Sequence, residues 1–344
     1  MHQRQFGNHP DLPGWAYGFT QRTENGQRVL DHGGADPTGY GSMTVLLPEE
    51  DVGFFAVTNA RFEEELLLDF PEAFLDHYYP GETLPPDGWE PLPNAEERAE
   101  RLVGTYLTNR VARHSVAKLS WLSKRPVRVA SVEGEPGLIA VTGLGHGRVD
   151  GPSRWVEIEP LVFQREGSED RIGFGAVESG EVTHLHARDR TPGAFGKVVW
   201  YQEPAFHQVL VGVCLLVFAT VTLGWPLACL VRRFMGQRLE LTRSVREARW
   251  LAFGVSSLYL AFVIAGGIAM SVYPLQFGLP TGVKALFVVP LLTTAMTVGL
   301  PLLGVRAWSN TWSLVGRLQY VLVMLTATAF IWFLSYWNLL GFRF

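Results

Sequence analysis

The chain has 344 residues, of which 47% are hydrophobic and 18% charged, and its formal net charge is −4. The hydrophobic fraction is high and the charged fraction low for a soluble protein, so the composition favours a membrane-associated chain. Residues 206–344 contain ten basic and two acidic side chains, whereas residues 1–205 contain 19 basic and 31 acidic ones. An acidic N-terminal part argues against nucleic-acid binding, which requires a basic face.

Residues 1–80 predict an antiparallel sheet followed by a helix. Residues 15–59 are predicted to form a β-meander, because Trp15 to Arg22 alternates bulky and small side chains and Asn25-Gly26 is a signal for a hairpin turn. A second hairpin is predicted around residues 48–51. Residues 61–79 predict an amphipathic helix that breaks at Pro71, because proline has no amide hydrogen to donate within a helix.

This segment resembles the C-terminal third of the serine β-lactamase-like hydrolases, which include class C β-lactamases, related penicillin-binding proteins and esterases. The resemblance depends on the order and spacing of short motifs, which are Tyr17-Gly-Phe, Asn25-Gly26, His32-Gly33-Gly34, Gly39 to Ser42, Leu47-Pro48-Glu49 and Val57-Thr-Asn59. It implies a partial catalytic subdomain over residues 1–80. The implied chemistry is acyl transfer on an amide, an ester or a β-lactam, with the substrate left open.

The resemblance also implies roles for individual residues. Gly33 and Gly34 would let a substrate lie against the strand, because they have no side chain to obstruct it. The backbone N–H of Ala35 would be one of two donors to an oxyanion. His32 would hydrogen-bond to the substrate or to a neighbouring catalytic hydroxyl.

The sequence departs from the family at the nucleophile. In that family a Ser-x-x-Lys motif and a Tyr-x-Asn loop precede the strand, but here neither Ser nor Lys lies before His32. Ser115-Val-Ala-Lys118 has the right spacing but follows the strand, and Tyr336-Trp-Asn338 falls in a predicted membrane span. We therefore expect the chain alone to be inactive, because an oxyanion donor without a nucleophile does not turn over substrate.

A linker rich in Pro and Gly, residues 81–94, separates this subdomain from a second β region at residues 95–200. The regular spacing of its short strands indicates a small antiparallel barrel or sandwich. Motifs such as Gly104-Thr-Tyr106 resemble the lipocalin-like domain often joined to such hydrolases. The predicted strands are 104–111, 126–133, 137–143, 154–157, 160–165, 171–177 and 181–187.

Two motifs in the β region have ordinary explanations. His184-Leu-His186 places two imidazoles on one face of a strand, but no third ligand is evident, so we predict strand residues rather than a metal site. Gly143 to Gly147 is glycine-rich, yet no helix follows it, so we predict a turn rather than a phosphate loop. The sequence predicts no metal and no cofactor.

Residues 206–341 are predicted to form an all-α membrane region with four helices. Together with the antiparallel sheet and helix of residues 1–80 and the β region of residues 95–200, they give a predicted fold class of α+β. Four runs lack Asp, Glu, Lys and Arg, and each has about the 20 residues that a helix needs to cross a bilayer. These runs are 209–231, 250–275, 285–305 and 318–341. The lipid bilayer is therefore the first predicted partner.

The basic residues predict an orientation in a bacterial cytoplasmic membrane. Loops 232–249 and 306–317 carry eight basic residues, whereas the alternate side carries Lys284 and Arg343. The positive-inside rule therefore places residues 1–205 and the C-terminus outside the cytoplasm. Loop 236–249 predicts a short amphipathic helix on anionic lipid, or else a partner-binding element. No apolar signal-peptide segment precedes the exported part, so export needs an unusual route or an N-terminal segment that this chain lacks.

Three hypotheses for function follow. The chain is the membrane-anchored C-terminal portion of a hydrolase, a non-catalytic envelope protein that binds a ligand or signals, or one half of a split hydrolase completed by a separately encoded half. An exposed, unpaired sheet edge near residues 28–34 would favour the truncated or split enzyme. A covered edge would favour the autonomous binding protein.

Overall fold

The computed structural model describes residues 1–9, 12–36, 39–59, 64–81, 89–144, 151–176, 181–189, 191–236, 241–273, 278–308 and 312–344. The fold is α+β and contains a six-stranded sheet, a closed eight-stranded barrel and four long apolar helices. The chain forms two compact units. Residues 1–110 and 124–199 make the first unit, and residues 111–123 and 200–344 make the second.

The six-stranded sheet is an antiparallel meander in which each strand pairs with the next along the chain. Its strands are β1 (Phe6–Gly7), β2 (Gly14–Trp15), β3 (Thr20–Glu24), β4 (Gln27–Asp36), β5 (Tyr40–Leu47) and β6 (Val52–Thr58). Asn25 and Gly26 have φ angles of 52° and 72°, which two-residue hairpins of the type predicted here require at both central positions.

Helix α1 (Glu64–Tyr78) packs on one face of this sheet. The apolar core beneath it consists of Val29, Met43, Val45, Leu47, Leu67 and Leu75. The predicted break at Pro71 is wrong, because the helix continues through this residue. Pro71 is buried, and in a packed amphipathic helix tertiary contacts supply most of the stability, which offsets the missing hydrogen bond.

The barrel is preceded by helix α2 (Ala95–Leu102) and closes by pairing its last strand with its first. Its strands are β7 (Gly104–Thr108), β8 (Val127–Ser131), β9 (Leu138–Thr142), β10 (Ser153–Glu159), β11 (Val162–Arg165), β12 (Arg171–Ala176), β13 (Val182–Asp189) and β14 (Thr191–Val198). Of the two predicted architectures, barrel and sandwich, the barrel is the one that forms. The sequence missed only β14, whose Pro192, Gly193 and Gly196 lower its strand propensity.

The interior of the barrel is filled by its own side chains. The large buried residues that meet there are Tyr106, Trp155, Phe163, Phe174, Leu185 and Phe195. Helix α2 adds Ala99 and Leu102 to this core. An eight-stranded barrel is just wide enough for side chains to fill it, which is the arrangement seen here.

The second unit contains four helical segments long and apolar enough to cross a membrane. Helices α3 (Pro204–Thr222) and α4 (Gly224–Phe234) form the first segment, and α5 (Arg243–Val272) forms the second. Helices α6 (Thr281–Ala285) and α7 (Val288–Ala307) form the third, and α8 (Leu314–Tyr336) forms the fourth. The prediction of four membrane-spanning helices is confirmed at the level of length and apolar composition.

The helix predicted within loop 236–249 is not a separate element. Helix α5 begins at Arg243, so Arg246 and Arg249 belong to the first turns of a 30-residue helix. Thr242 caps this helix, and its hydroxyl accepts a hydrogen bond from the backbone N–H of Val245. Residues 237–240 of the predicted loop lie outside the described residues.

Candidate functional site

The candidate site lies where β4 extends beyond β3. The turn between β2 and β3 spans residues 16–19, and β3 begins at Thr20, which pairs with Asp31. Strand β4 continues for five more residues to Asp36, and over this stretch it pairs with β5 alone. Within the described part of the chain, no strand lies against the other side of residues 32–36.

The direction of the backbone groups along β4 follows from the hairpin that precedes it. In a two-residue hairpin the closing pair, here Glu24 and Gln27, is a hydrogen-bonded pair, so the N–H and C=O of Gln27 face β3. Direction alternates along a strand, and the pairing with β3 has no register shift. The N–H and C=O groups of Gly33 and Ala35 therefore face the side where β3 has ended.

The second feature of the site is an open apolar face. Helix α1 covers the face that carries Val45, and the opposite face carries three large side chains that are mostly exposed. These are Tyr40 at 61%, Phe55 at 65% and Val57 at 64% of full exposure. Because directly opposed residues in an antiparallel pair point to the same face, His32, Thr44 and Phe55 form one row across β4, β5 and β6.

The sequence analysis missed this face, although β6 contains a signal for it. The strand Val-Gly-Phe-Phe-Ala-Val-Thr at residues 52–58 is apolar on both of its faces. A strand with apolar residues on both faces is typical of a sheet covered on both sides. Here α1 covers one side only, so Phe55 and Val57 remain exposed.

His32, Gly33 and Gly34 are exposed in this site. The His32 Nδ1 atom lies within hydrogen-bonding distance of the Gly18 carbonyl, and its ring contacts the edge of Phe19 at 6.3 Å between centroids. The Ser42 hydroxyl lies over Gly34, only 2.9 Å from where a Cβ would stand. Among the described residues, Ser42 and His32 share no hydrogen bond, so the arrangement shows no activated nucleophile.

The two motifs that imitate the hydrolase nucleophile and loop come together in the second unit. A 3-10 helix at residues 116–123 contains Lys118. The Lys118 ammonium donates a hydrogen bond to the Tyr336 carbonyl at 2.5 Å and lies 3.8 Å from the centre of the Tyr336 ring. Asn338 donates to the Ser115 carbonyl at 3.1 Å. Asn338 follows the end of α8 rather than lying within it, which corrects its predicted place in the fourth span.

These contacts hold residues 111–123 against the end of α8. The Ser115 hydroxyl accepts from the Ala117 N–H at 3.3 Å, and the described contacts include no hydrogen bond from it to Lys118. The pKa of Lys118 is lowered mainly by burial and to a smaller extent by the nearby charge of Arg113. The segment of residues 111–123, although it connects two barrel strands, is held in the second unit by these hydrogen bonds.

His184 and His186 stack with parallel rings at 6.2 Å between centroids on the outside of the barrel. Burial, followed by repulsion from His184 and His9, lowers the pKa of His186. The described residues contain no cluster of three or more potential metal ligands. Of the predicted glycine turn, residues 145–147 lie outside the described residues. A cavity of about 10 Å³ beside Leu12 and His186 has room for little more than a water molecule.

Comparisons with known proteins identify no family. No family model matches the chain, and no curated protein matches it. Solved structures that it matches include "Crystal structure of SurE with D-Leu", at 16% identity and a TM-score of 0.31, and "Crystal structure of SurE", at 19% identity and a TM-score of 0.30. Each match covers 58% of this chain and, respectively, 42% and 41% of the solved chain. The chain therefore spans about two fifths of the length of these structures, and the likeness is too weak to support an argument about function.

These comparisons overturn the assignment of residues 1–80 to the serine β-lactamase-like hydrolases, because the solved structures found are SurE and no family model matches. The assignment is withdrawn, together with the hydrolase hypotheses that depended on it. Its motifs have local explanations, since Asn25-Gly26 forms a turn and Gly41 lacks a side chain where Leu67 packs. The roles implied for His32, Gly33, Gly34 and Ala35 stay untested, and no proposal below depends on them.

Proposed function

We propose that this chain is a non-catalytic, membrane-anchored binding protein that holds an extended polypeptide segment along the free part of β4. The observation that carries the proposal is the five-residue stretch, 32–36, that pairs with β5 on one side and with no strand of the described chain on the other. A free strand edge presents unpaired N–H and C=O groups that pair readily with another extended chain.

The neighbouring side chains suit such a ligand. A strand added at Gly33 and Ala35 would place alternate side chains on the same face as Tyr40, Phe55 and Val57. Main-chain hydrogen bonds would give affinity, and the exposed aromatic and aliphatic side chains would select apolar residues at alternate positions of the ligand. The partner is thus a polypeptide with an extended, alternately apolar segment.

The barrel is a poorer candidate for the binding site. Its strands are paired all round, so it offers no strand edge, and its interior is occupied by aromatic side chains such as Tyr106 and Phe163. Within the first unit, the sheet is therefore the better candidate, because its free strand edge can pair with another chain. The sequence analysis expected an exposed edge near residues 28–34 to favour a truncated or split hydrolase over an autonomous binding protein. Because the hydrolase assignment is withdrawn, we keep from that expectation only the idea that a separate polypeptide pairs with this edge.

The proposal is tested by photo-crosslinking in native membranes. A benzoylphenylalanine placed at Tyr40 or Phe55 should crosslink to the same short segment of one partner. The same group at Tyr78, which is 63% exposed at the end of α1 on the other face, should not crosslink to it.

Two substitutions of Ala35 make this test specific for the strand edge. Ala35→Pro removes the N–H that faces the free side of β4, and it should abolish crosslinks from both positions. Ala35→Gly keeps the N–H and should preserve them. Crosslinks that survive Ala35→Pro, or that arise equally from Tyr78, would contradict the proposal.

We propose further that residues 1–205 lie outside the cytoplasm of a bacterial cell. The basic residues at the two ends of the spans support this, at eight against two. With Cys214 and Cys229 replaced, a cysteine at Asn25 should react with an impermeant maleimide on intact cells. A cysteine at Gln237, which lies outside the described residues, should react only after lysis. The opposite pattern would reverse the orientation.

A further inference from the structure

The second unit contains an arginine for which the described residues provide no counter-charge. Arg249 lies in the second turn of α5, just before the apolar part of a helix long enough to cross a membrane, and its guanidinium stacks on Trp225 at 4.5 Å from the ring centre. Among the described residues, no carboxylate lies within ion-pair distance of Arg249. Glu247, two residues away, is paired with Arg243 at 2.8 Å instead.

The surroundings of Arg249 add positive charge and hold the site in place. Arg232 lies two turns after Trp225 on the same side of α4, and its charge acts on that of Arg249. The Trp225 ring is fixed from its other end, because its indole N–H donates to the Gln319 side chain of α8 at 2.7 Å. Gln319 in turn lies 3.4 Å from the Thr220 hydroxyl. Arg249 thus lies on a tryptophan that a hydrogen bond to another helix holds in place, and Arg232 adds a second positive charge on the same side of α4.

An anion beside Arg249 is favourable, because its guanidinium stays charged at all accessible pH values and basic residues next to a membrane span are attracted to anionic lipid headgroups. We propose that Arg249 and Arg232 bind the phosphate of an anionic phospholipid headgroup, with Trp225 as the floor on which the Arg249 guanidinium is oriented. A planar guanidinium donates in pairs to phosphate oxygens, and these charge-assisted bonds are stronger than neutral ones. The exposed apolar side chains of α4, such as Leu227 at 61% and Leu230 at 50% exposure, would contact the acyl chains of that lipid.

The proposal is tested on the purified full chain in detergent by native mass spectrometry and thermal unfolding. Phosphatidylglycerol should bind and raise the Tm, whereas phosphatidylcholine with the same acyl chains should do so much less. Arg249→Gln should weaken phosphatidylglycerol binding about tenfold, because it removes at least one charge-assisted hydrogen bond. The matched control is Arg246→Gln, an exposed arginine one turn away on the same helix, which should leave the affinity within about twofold.

Further arms of the experiment keep the proposal falsifiable. Arg249→Lys keeps the charge but loses the planar stack on Trp225, so it should fold normally and still bind phosphatidylglycerol about threefold more weakly than the wild type. If Arg249→Gln fails to fold, the phosphatidylglycerol affinity of Arg249→Lys tests the proposal in its place. Equal effects of the substitutions at 246 and 249 would overturn the proposal in favour of a diffuse surface charge. Inorganic phosphate at millimolar concentration that stabilises the chain as well as the lipid does would also overturn the lipid as the ligand.

Discussion

The barrel and the sheet of the first unit are both antiparallel meanders, but the barrel is closed and the sheet is open. The barrel pairs β14 with β7 and so leaves no strand edge, and it buries its aromatic residues inside. In the sheet, β3 begins only at Thr20, so no strand of the described chain pairs with one side of residues 32–36, and Phe55 is exposed on the open face. A closed barrel satisfies its own hydrogen bonds, whereas an open edge is a liability that a protein retains where it pairs with another chain. From this difference we propose a supporting role for the barrel and a binding role for the sheet.

If the barrel is a self-contained support, breaking its internal ion pair should cost far more than breaking a surface pair. Glu157 is fully buried and accepts from Arg98 Nε at 2.7 Å and Nη2 at 2.8 Å. This hydrogen bond raises the pKa of the Arg98 guanidinium. Glu157→Ala leaves Arg98 unpaired and the Leu161 N–H without its acceptor, so we expect it to lower the free energy of unfolding by about 3–5 kcal/mol.

The matched control for this prediction is Glu166→Ala. Glu166 pairs with Arg154 at 2.9 Å, but the two side chains are 37% and 44% exposed. This substitution should lower the free energy of unfolding by less than about 1 kcal/mol. Both are measured by denaturant titration of the full chain in detergent, followed by near-ultraviolet circular dichroism. Equal effects of the two substitutions would show that the pair at Glu157 does not stabilise the barrel.

A smaller effect on stability is expected when the pH is lowered. Its source is His186, where the N-terminal segment meets the barrel. Burial, followed by repulsion from His184 and His9, holds the pKa of His186 below the ordinary value of 6.5. As pH falls through 6.5, the unfolded chain takes up this proton before the folded chain does. Stability that is fully present above pH 6.5 is therefore lost progressively as the pH falls toward the lower pKa of the folded state.

Replacing His186 isolates its contribution to this pH dependence. His186→Gln should flatten the decline in Tm below pH 6.5, whereas His77→Gln, at an exposed site on α1, should leave it unchanged. A decline of the same slope in wild type and His186→Gln would exclude His186 as its source.

Much of this fold was accessible from the sequence, because local rules determine it. The turn at Asn25-Gly26, the seven predicted barrel strands and the four apolar spans each follow from turn chemistry, alternation or length. The exceptions are places where tertiary packing overrides local preference. Strand β14 forms despite Pro192 and Gly193 because it closes the barrel, and α1 continues through Pro71 because it packs on the sheet.

The candidate site was only partly accessible. His32, Gly33 and Gly34 were singled out from the sequence, but for a catalytic role implied by a family that the comparisons do not support. The free edge itself depends on how far β3 extends relative to β4. That is a property of strand pairing rather than of either sequence alone, so no local pattern in residues 32–36 predicts it. The approach of Arg249 to Trp225 is equally a matter of how helices pack.

The measurement that tests the central claim most directly is residue-resolved amide hydrogen exchange over residues 32–36. In the purified chain the amides of Gly33 and Ala35 should exchange rapidly, whereas those of His32 and Gly34, which face β5, should be protected. In membranes that contain the crosslinked partner, Gly33 and Ala35 should become as protected as their neighbours. Protection of all these amides already in the purified chain would show that the edge is covered within the chain itself, and the proposed binding of an extended polypeptide would be wrong.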